Sequence, residues 1–558
     1  MLRQKANANT VCLSSLFLFM FCIGSVPLQR GGMAGGVRSA KLGFLAWLCF
    51  STLGATLGAK VLVVPVDGSH WLSMKLLVKE LIVRGHDVVL LEPETTALGK
   101  GLVGCRNEIY PVSYTKEELG NVLKQLQENV FIKLPKITDA YVNVQRLIDY
   151  TSIHVKGCEN LLYNQEVMGR LRLEGFDVVL TDPFLPCGSI LAETLSVPVV
   201  YFLRGLPCGL DEIGTQCPSP PSYVPRFYSG HSDTMTFPQR VKNMVMYGIE
   251  SVSCRIMYAS FDELASRYLE KDISYKDLVR RGAIWLLRYD FAFLFPKPMM
   301  PNMVLIGGIN CAKPSPLSHL EEFVDGSGDD GFIVFTLGSM VDKMPADMTI
   351  AFLDAFKKIP QRVVWRHTGI LPEDVPENVK IMKWLPQNDL LAHPKAKLFL
   401  THGGSHGIYE GICHGVPMVM MPLFGDQPDN VDYMVARGVA VVIDVFDVTT
   451  EKVLEAINKV VNDTSYKEKM VNLMSVHQDH AVKPLDLAVF WTEFVVRHQG
   501  ADHLRPAAHN LNWIQYHSLD TLCLLAAIVM TIAFLGLKCC CFCGRKCCVR
   551  VAKKKKVL

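Results

Sequence analysis

The chain has 558 residues, a length that favours two or more folded domains. Charged residues make up 20% and hydrophobic residues 49% of it, which excludes a largely disordered protein and allows membrane segments. Residues 1–59 and 538–558 hold 13 basic and no acidic side chains, so the rest has 44 basic against 54 acidic residues and a net charge of −10. An acidic body argues against nucleic acid as the partner.

The first 59 residues contain two apolar runs, 11–26 and 42–57. The second run follows Arg38 and Lys41 and ends in small residues up to Ala59, which is the pattern of a secretory signal cleaved near that point. Met33 lies just before it, so we interpret residues 1–32 as an upstream extension of the reading frame, with either Met1 or Met33 as the initiator. An uncleaved N-terminal anchor is the alternative interpretation.

The body predicts two series of strands alternating with helices, which is typical of parallel α/β domains. The first series has strands at 61–66, 87–91, 177–181 and 197–202, with a helix at 71–84. The second has strands at 332–337, 362–366, 379–382, 397–401, 416–421 and 439–443, with helices at 347–358, 406–414, 429–437 and 450–461. The stretch 296–320 is rich in Pro and Gly and lacks periodicity, so we interpret it as a linker. Two such domains facing each other across a cleft are expected.

Two polar residues follow strands of the first series. His70 comes after the strand at 61–66, and Asp182 comes after the strand at 177–181. Ligands of doubly wound sheets bind at the carboxyl ends of strands. A histidine there can take a proton, and a carboxylate can orient it and stabilise the imidazolium. A structural histidine near a helix start and a turn at Asp182-Pro183 remain the alternative readings.

The stretch 400–427 combines a glycine-rich turn with several polar side chains. A strand enters Gly403-Gly404 and a helix follows, so free N–H groups and the helix dipole would favour a phosphate there. His402 adds a donor, and Glu410 on the helix could accept two hydrogen bonds from a ribose diol. Asp426-Gln427 could bind sugar hydroxyls. The pattern predicts a nucleotide-sugar site, although glycine-rich turns are also common without a ligand.

The C-terminal segment predicts a membrane anchor. Residues 521–537 carry no charge, and Leu519, Trp513 and Tyr516 can extend and anchor the run at an interface. The basic residues that follow predict a cytosolic tail and a lumenal body. Lys555 and Lys556, fourth and third from the end, resemble a dilysine retrieval signal of the endoplasmic reticulum.

The full spacing of the second-domain motif resembles the donor site of the UDP-glycosyltransferases. The matching positions are His402, Gly404, Gly407, Glu410, Pro417, Pro422, Asp426 and Gln427. Residues 66–71, 181–187, 301–310 and 384–388 and the tail are similar to vertebrate UDP-glucuronosyltransferases, closest to the family-1 subgroup. The resemblance covers nearly the whole chain. It implies a GT-B fold, with the acceptor in the first domain and the UDP-sugar in the second.

The resemblance also implies roles for individual residues. His70 would be the general base and Asp182 its partner. Trp384 would stack on uracil, Gln387 and Asn388 would lie at the nucleoside, and Glu410 would hold the ribose. The diphosphate would be held by Ser339, Arg366, His402, Gly403, Gly404 and Gly407, and the sugar by Asp426 and Gln427. No metal is expected, since the sequence contains no Asp-x-Asp pair.

These observations predict a single-pass type I enzyme of the endoplasmic reticulum membrane that uses UDP-glucuronic acid and a small lipophilic acceptor. Association into homo-oligomers, or into hetero-oligomers with related transferases, is compatible with this prediction. A different UDP-hexose donor, or a non-catalytic lumenal partner, is the alternative function. The expected divisions are extension and signal 1–59, acceptor domain 60–310, donor domain 311–500, membrane-proximal segment 501–518, transmembrane helix 519–537 and tail 538–558. Disulfides and a glycan at Asn462 are compatible with a lumenal body.

Overall fold

The computed structural model describes residues 58–96, 102–127, 130–203, 208–338, 341 and 343–555. The described part therefore excludes residues 1–57 of the predicted extension and signal, Ser339 and the last three residues, among them Lys556 of the predicted retrieval signal.

The first half of the body is built on a seven-stranded parallel sheet. Its strands are β1 (Lys60–Val64), β2 (Asp87–Pro93), β3 (Arg106–Tyr110), β4 (Val178–Thr181), β5 (Val199–Leu203), β6 (Gly282–Leu287) and β7 (Met303–Leu305). They are arranged in the order β3-β2-β1-β4-β5-β6-β7. β1, β4, β5 and β6 are rich in Val, Leu and Ile and almost entirely buried, as expected for strands covered on both faces.

In the described residues, eight helices connect these strands. They are α1 (Ser69–Val83), α2 (Lys116–Gln127), α3 (Lys136–Tyr163), α4 (Gln165–Glu174), α5 (Cys187–Leu195), α6 (Leu210–Thr215), α7 (Phe237–Leu269) and α8 (Tyr275–Val279). The sequence predicted α1 but not the long α3 and α7, nor β3, β6 and β7. β7 also falls inside the predicted linker 296–320, because it joins the sheet edge beside β6.

The second half is built on a six-stranded parallel sheet in the order β10-β9-β8-β11-β12-β13. Its strands are β8 (Phe332–Thr336), β9 (Arg362–Arg366), β10 (Val379–Met382), β11 (Ala396–Thr401), β12 (Met418–Met420) and β13 (Ala440–Val442). Its helices are α9 (Glu321–Asp325), α10 (Ala346–Phe356), α11 (Gln387–Leu391), α12 (Ser405–Cys413), α13 (Gln427–Ala436), α14 (Thr450–Asn462) and α15 (Thr464–Gln478). All six strands were predicted from the sequence. The expectation of two Rossmann-like α/β units is confirmed.

Each sheet has a point where the strand order reverses, and the predicted polar residues follow these points. In the first sheet β1 pairs with β4, with Val64 opposite Thr181. In the second sheet β8 pairs with β11, with Thr336 opposite Thr401. Chains leaving two neighbouring strands in opposite directions open a crevice, which is where such sheets bind ligands.

After α15 the chain returns to the first sheet. α16 (Pro484–His498) buries Val489 and Val495 in the core that covers one face of β1, β4 and β6. Arg84, which directly follows α1, binds Asp486 at 2.8 Å. The segment 484–500, expected to belong with the donor domain, therefore shares its core with the acceptor domain. The apolar face of α16 fits the sheet surface beside α1.

The chain ends in α17 (Trp513–Tyr516) and the long α18 (Leu519–Lys555). Within the described residues one helical stretch, Leu519–Lys546, is long and apolar enough to cross a membrane, and none of it is buried against the body. The helix continues beyond the predicted end at 537, because nothing in the basic segment breaks it. A single C-terminal span, predicted from the sequence, fits this geometry.

Three disulfides are present among the described residues, joining Cys158 to Cys187, Cys208 to Cys254 and Cys311 to Cys413. The sequence left the pairing open. The second of them attaches α7 to the loop after β5.

Candidate active site

A cavity of about 1070 Å³ lies between the two sheets. Residues of both halves line it. Those predicted as site residues are His70, Arg366, Trp384, Gln387, Asn388, His402, Gly404, Gly407, Glu410, Asp426 and Gln427. The cavity therefore brings together the two groups of residues that the sequence places more than 250 positions apart.

His70 and Asp182 form a hydrogen-bonded pair at the wall of this cavity. Nδ1 of His70 lies 2.6 Å from Oδ2 of Asp182, and the side chains are 12% and 1% exposed. The backbone N–H of Phe184 donates to the other carboxylate oxygen at 2.9 Å. Because a carboxylate only accepts, Nδ1 carries the proton and Nε2 is left with its lone pair. The buried carboxylate thus orients a base that opens onto the cavity.

The two glycine turns of the second sheet pack against the ring of His402. Gly338 (φ 83°) and Gly403 (φ 85°) have left-handed backbones. A Cβ at Gly338 or Gly404 would come within 2.6 Å of the His402 ring. Glycine is therefore required on both sides of the imidazole. The N–H groups that begin α12 lie beside this ring, where they can bind an anion.

Glu410 is buried on α12 and accepts a hydrogen bond from Nε2 of Gln387. Its other oxygen lies 3.4 Å from Nε2 of His406. Trp384 is 60% exposed, and the Arg366 guanidinium lies 5.5 Å from the centre of its indole ring. A carboxylate and a flat exposed ring on the same cavity suit a nucleoside, because the ring can stack on a base while the carboxylate accepts from a diol.

Asp426 and Gln427 are both buried at the start of α13. Oε1 of Gln427 accepts from the backbone N–H of Leu423 at 2.8 Å, so its amide nitrogen is the group left for a ligand. Nδ2 of Asn430 donates both to Asp426 at 2.9 Å and to the carbonyl of Gly403 at 3.0 Å. Asn430, which the sequence did not single out, therefore connects the carboxylate to the glycine turn.

Three predicted residues stand apart from the others. Gly403 is not in contact with the cavity, since it supports the turn below Gly404. Asn388 lines the cavity but is held by His414 at 2.9 Å and by the carbonyl of Ala312 at 3.2 Å, so it also fixes the linker. Ser339 lies outside the described residues.

The first-domain half of the cavity is lined mainly by apolar side chains of α2, α3 and α7. Examples are Leu119, Leu123, Leu147, Tyr150, Met246 and Met257. The sequence predicted a lipophilic acceptor bound in the first domain, but it did not indicate which residues line the acceptor pocket. The spacing of Cys254, Met257, Phe261 and Leu264 would have indicated a helix, but its position beside the cavity depends on the tertiary fold.

Among these apolar side chains lies His154, whose tautomer follows from its hydrogen bond. Nδ1 lies 2.7 Å from the carbonyl oxygen of Tyr150, and a carbonyl only accepts, so Nδ1 carries the proton. Burial lowers the pKa of His154, which keeps the ring neutral. Its Nε2 therefore offers a hydrogen-bond acceptor.

A contact between the two halves lies at the edge of the site. Oγ of Ser73 on α1 lies 3.1 Å from Nδ1 of His406 on α12. His406 in turn approaches Glu410. The helix that carries His70 is thus connected to the Glu410 carboxylate on α12.

Groups with metal-ligand character lie elsewhere in the described part. Cys311, Cys413 and His477 form one cluster, and Asp290, His477 and His480 form another. The two cysteines are joined in a disulfide, and Nδ1 of His477 binds Asp290 at 2.5 Å. These groups stabilise the junction between the sheets and do not line the cavity.

Residues 59–556 match the family model described as "UDP-glucoronosyl and UDP-glucosyl transferase". The chain is 55% identical to a UDP-glucuronosyltransferase of Pleuronectes platessa over 470 residues, which cover 84% of this chain and all of the relative. It is 46% identical to UDP-glucuronosyltransferase 1A1 of Homo sapiens, with 93% of this chain and 98% of the relative covered.

Solved structures with the same fold include the glycotransferase of kitacinnamycin, with a TM-score of 0.56 and 20% identity, covering 79% of this chain and 99% of that one. A UDP-glucose: anthocyanidin 3-O-glucosyltransferase in complex with UDP gives a TM-score of 0.54 at 14% identity, covering 79% of this chain and all of the other. The likeness identifies the fold as that of GT-B glycosyltransferases.

Proposed function

The chain belongs to the UDP-glucoronosyl and UDP-glucosyl transferase family, and we propose that it transfers glucuronic acid from UDP-glucuronic acid to hydroxyl groups of small lipophilic molecules. Membership makes it a glycosyltransferase that takes a UDP-sugar donor. Our proposal adds three things to family membership: the identity of the sugar, the roles of the site residues and the cellular location.

One observation carries the catalytic part of the proposal: the His70–Asp182 pair opens onto the same cavity as the glycine turn, Glu410 and Asp426. An acceptor hydroxyl is a poor nucleophile until a base takes its proton. Nε2 of His70 takes that proton as the oxygen attacks the anomeric carbon. The bond from that carbon to the diphosphate oxygen breaks in the same step, and the anomeric centre is inverted to give a β-linked product.

The donor side stabilises the leaving group. Charge developing on UDP is met by the N–H groups that begin α12 and by His402, with Arg366 on the same wall. The resemblance assigns Ser339 to the diphosphate as well. Trp384 stacks on uracil beside Gln387 and Asn388, and Glu410 binds the ribose. Asp426 and Gln427 bind the sugar. No metal is assigned a part in this mechanism.

The choice of glucuronic acid rests on relatives that carry this activity in their names and share 46–55% identity with the chain. Asp426 and Gln427 alone would suit many hexoses. A UDP-hexose other than UDP-glucuronic acid is therefore the competing donor, and a direct competition between UDP-sugars decides it.

We further propose that the enzyme lies on the lumenal side of the endoplasmic reticulum membrane as a single-pass type I protein. The apolar stretch Leu519–Lys546 and the basic residues after it support this topology. The divisions near 310, 500 and 537, a glycan on the exposed Asn462, and association with related transferases belong to the same proposal.

The test is to incubate membranes carrying the full chain with a panel of labelled UDP-sugars and a simple phenol, and to identify products by mass. The expected product is the phenyl β-glucuronide. His70→Ala should lower turnover by about two to four orders of magnitude while UDP binding is retained. His517→Ala, which removes an exposed histidine, is the matched control.

Two results would contradict the proposal. Unchanged turnover in His70→Ala would remove this residue from the mechanism. Absence of turnover with every donor, together with tight binding of lipophilic acceptors, would favour the non-catalytic alternative.

A further inference from the structure

The first 20 residues of α7 carry a row of large apolar side chains that face away from the body. The exposed fraction is 71% for Phe237, 49% for Val241, 57% for Met244 and 56% for Val245. The row continues with Ile249, Val252 and Ile256, which are 50–61% exposed. A contiguous row of seven exposed apolar side chains on a folded protein indicates an interaction surface.

These side chains form one stripe. Successive residues of an α-helix are turned by about 100°, so the seven positions fall within an arc of about 140°. The opposite face of the helix is buried through Asn243, Cys254 and Met257. The helix therefore has two apolar faces, one packed against the protein and one without a covering element among the described residues. We call the seven exposed residues the α7 stripe.

The charged side chains on this segment of α7 are mostly positive. Arg240, Lys242 and Arg255 are exposed on the same segment of the helix. The one acid in this segment, Glu250, is 14% exposed and faces the cavity. Basic residues bordering an apolar stripe are typical of helices that lie in the interface of a membrane with anionic lipids.

The α7 stripe is continuous with the wall of the active-site cavity. Ile249 belongs to both, since it is 52% exposed and also lines the cavity. The neighbouring Met246 and Ser253 line the cavity from the same side of the helix. The disulfide between Cys208 and Cys254, both in the cavity wall, fixes the helix at this point. An apolar path thus leads from the outer surface to the acceptor half of the site.

We propose that the α7 stripe rests in the interface of the bilayer that the C-terminal helix crosses, and that lipophilic acceptors enter the cavity from the lipid along it. The anchor holds the body close to one membrane surface, so that even a modest apolar face spends much of its time in contact with lipid. Apolar molecules are concentrated in the bilayer relative to water. Entry from lipid would present such acceptors without passage through the aqueous phase. This second half of the inference rests on the proposed function, whereas the lipid contact does not.

The first test measures lipid contact directly. A photoreactive benzoylphenylalanine is introduced in the full chain at Val245, on the stripe, and separately at Val83, which is 79% exposed on α1. Each protein is reconstituted in vesicles of phosphatidylcholine and phosphatidylserine, irradiated and digested, and the adducts are identified by mass. Lipid adducts are expected at 245 and not at 83. Equal yields at both positions would overturn the inference, and adducts to peptides of a second copy would assign the stripe to self-association instead.

The second test measures acceptor entry. Combining Val241→Glu with Val252→Glu places two charges on the α7 stripe, and Val83→Glu is the matched control. In vesicles we expect KM to rise about tenfold for an acceptor that partitions into the bilayer, and to stay unchanged for a water-soluble phenol and for the UDP-sugar. Equal changes of KM for both acceptors would overturn entry from lipid.

The two proposals can fail separately. If the wild-type chain turns over no acceptor, the proposed function fails, and the photo-crosslinking result still decides lipid contact. If the wild type is active and no lipid adduct forms at 245, only the inference on the α7 stripe fails.

Discussion

Oγ of Ser73 lies 3.1 Å from Nδ1 of His406, and this contact joins α1, the helix that carries His70, to α12, the helix that begins at the glycine turn. The two helices come from different sheets. His406 also approaches Glu410 at 3.4 Å, and Glu410 binds Gln387. A continuous set of polar contacts therefore leads from the first domain to the proposed ribose site.

This contact predicts that Ser73→Ala weakens the coupling between donor and base. A neutral hydrogen bond contributes about 1 kcal/mol, so we expect kcat/KM to fall by about 3- to 10-fold. The fold should be intact, because alanine fits the buried site of Ser73 without a clash. Ser251→Ala, on an exposed position of α7, is the control, and equal kinetics in both variants would contradict the prediction.

Asp182→Asn should disable the base without unfolding the site. The amide would present an N–H group to Nδ1 of His70 and favour the wrong tautomer, with the proton on Nε2. We expect kcat to fall by about 10³- to 10⁴-fold, with little change in KM for the UDP-sugar. Steady-state kinetics and a binding measurement with UDP check this. A loss confined to UDP binding would show that the residue acts in another way.

Glu410→Ala should affect the donor more than the acceptor. Loss of hydrogen bonds to a charged group costs about 1.5–3 kcal/mol, so KM for the UDP-sugar should rise by about 10- to 100-fold. The change also frees Gln387 from its present partner. The acceptor KM should stay near the wild-type value. Glu451→Ala, at the exposed start of α14, is a matched control for the loss of a helix carboxylate.

The raised pKa of Asp429 predicts that the free energy of unfolding depends on pH. Burial, helped by the nearby charges of Asp432, Asp426 and Glu250, raises its pKa to about 7, and both carboxylate oxygens lie 3.0 Å from the backbone nitrogen of Tyr228. The folded state therefore binds this proton more tightly than the unfolded chain, whose aspartate has a pKa of about 3.9. Its contribution to the free energy of unfolding is full below pH 4 and is lost as the pH rises towards 7.

Asp429→Asn should remove that dependence, because the amide oxygen can still accept from Tyr228 and carries no charge. Thermal unfolding of the full chain in detergent should give a higher Tm than wild type at pH 8 and a similar Tm at pH 4. Asp463→Asn, at an exposed position, is the control. If Tm depends on pH in the same way in wild type and in Asp429→Asn, the pKa of this carboxyl does not differ between the folded and unfolded states.

The sequence alone determined strands, turns and the membrane span, because each of these depends on the pattern of neighbouring residues in the chain. Apolar runs with β-branched residues between helical patterns predicted all six strands of the second sheet. The order of strand, Gly403-Gly404 turn and helix was predicted from the sequence, and the structure adds the left-handed backbone of Gly403 and the close approach of Gly404 to the His402 ring. The uncharged run after Leu519 predicted the C-terminal span, since its length and composition do not depend on packing.

The tertiary structure decided what lies next to what. Pairing of β1 with β4 brings His70 and Asp182 together across 111 intervening residues, and no pattern in the chain encodes that distance. The return of α16 to the first sheet, and the presence of α3 and α7 around the acceptor half of the cavity, depend on which apolar faces fit each other. Amphipathic patterns say that a helix has a face to bury, whereas only the assembled fold says against which surface it is buried, and which of its faces is left for a ligand or a membrane.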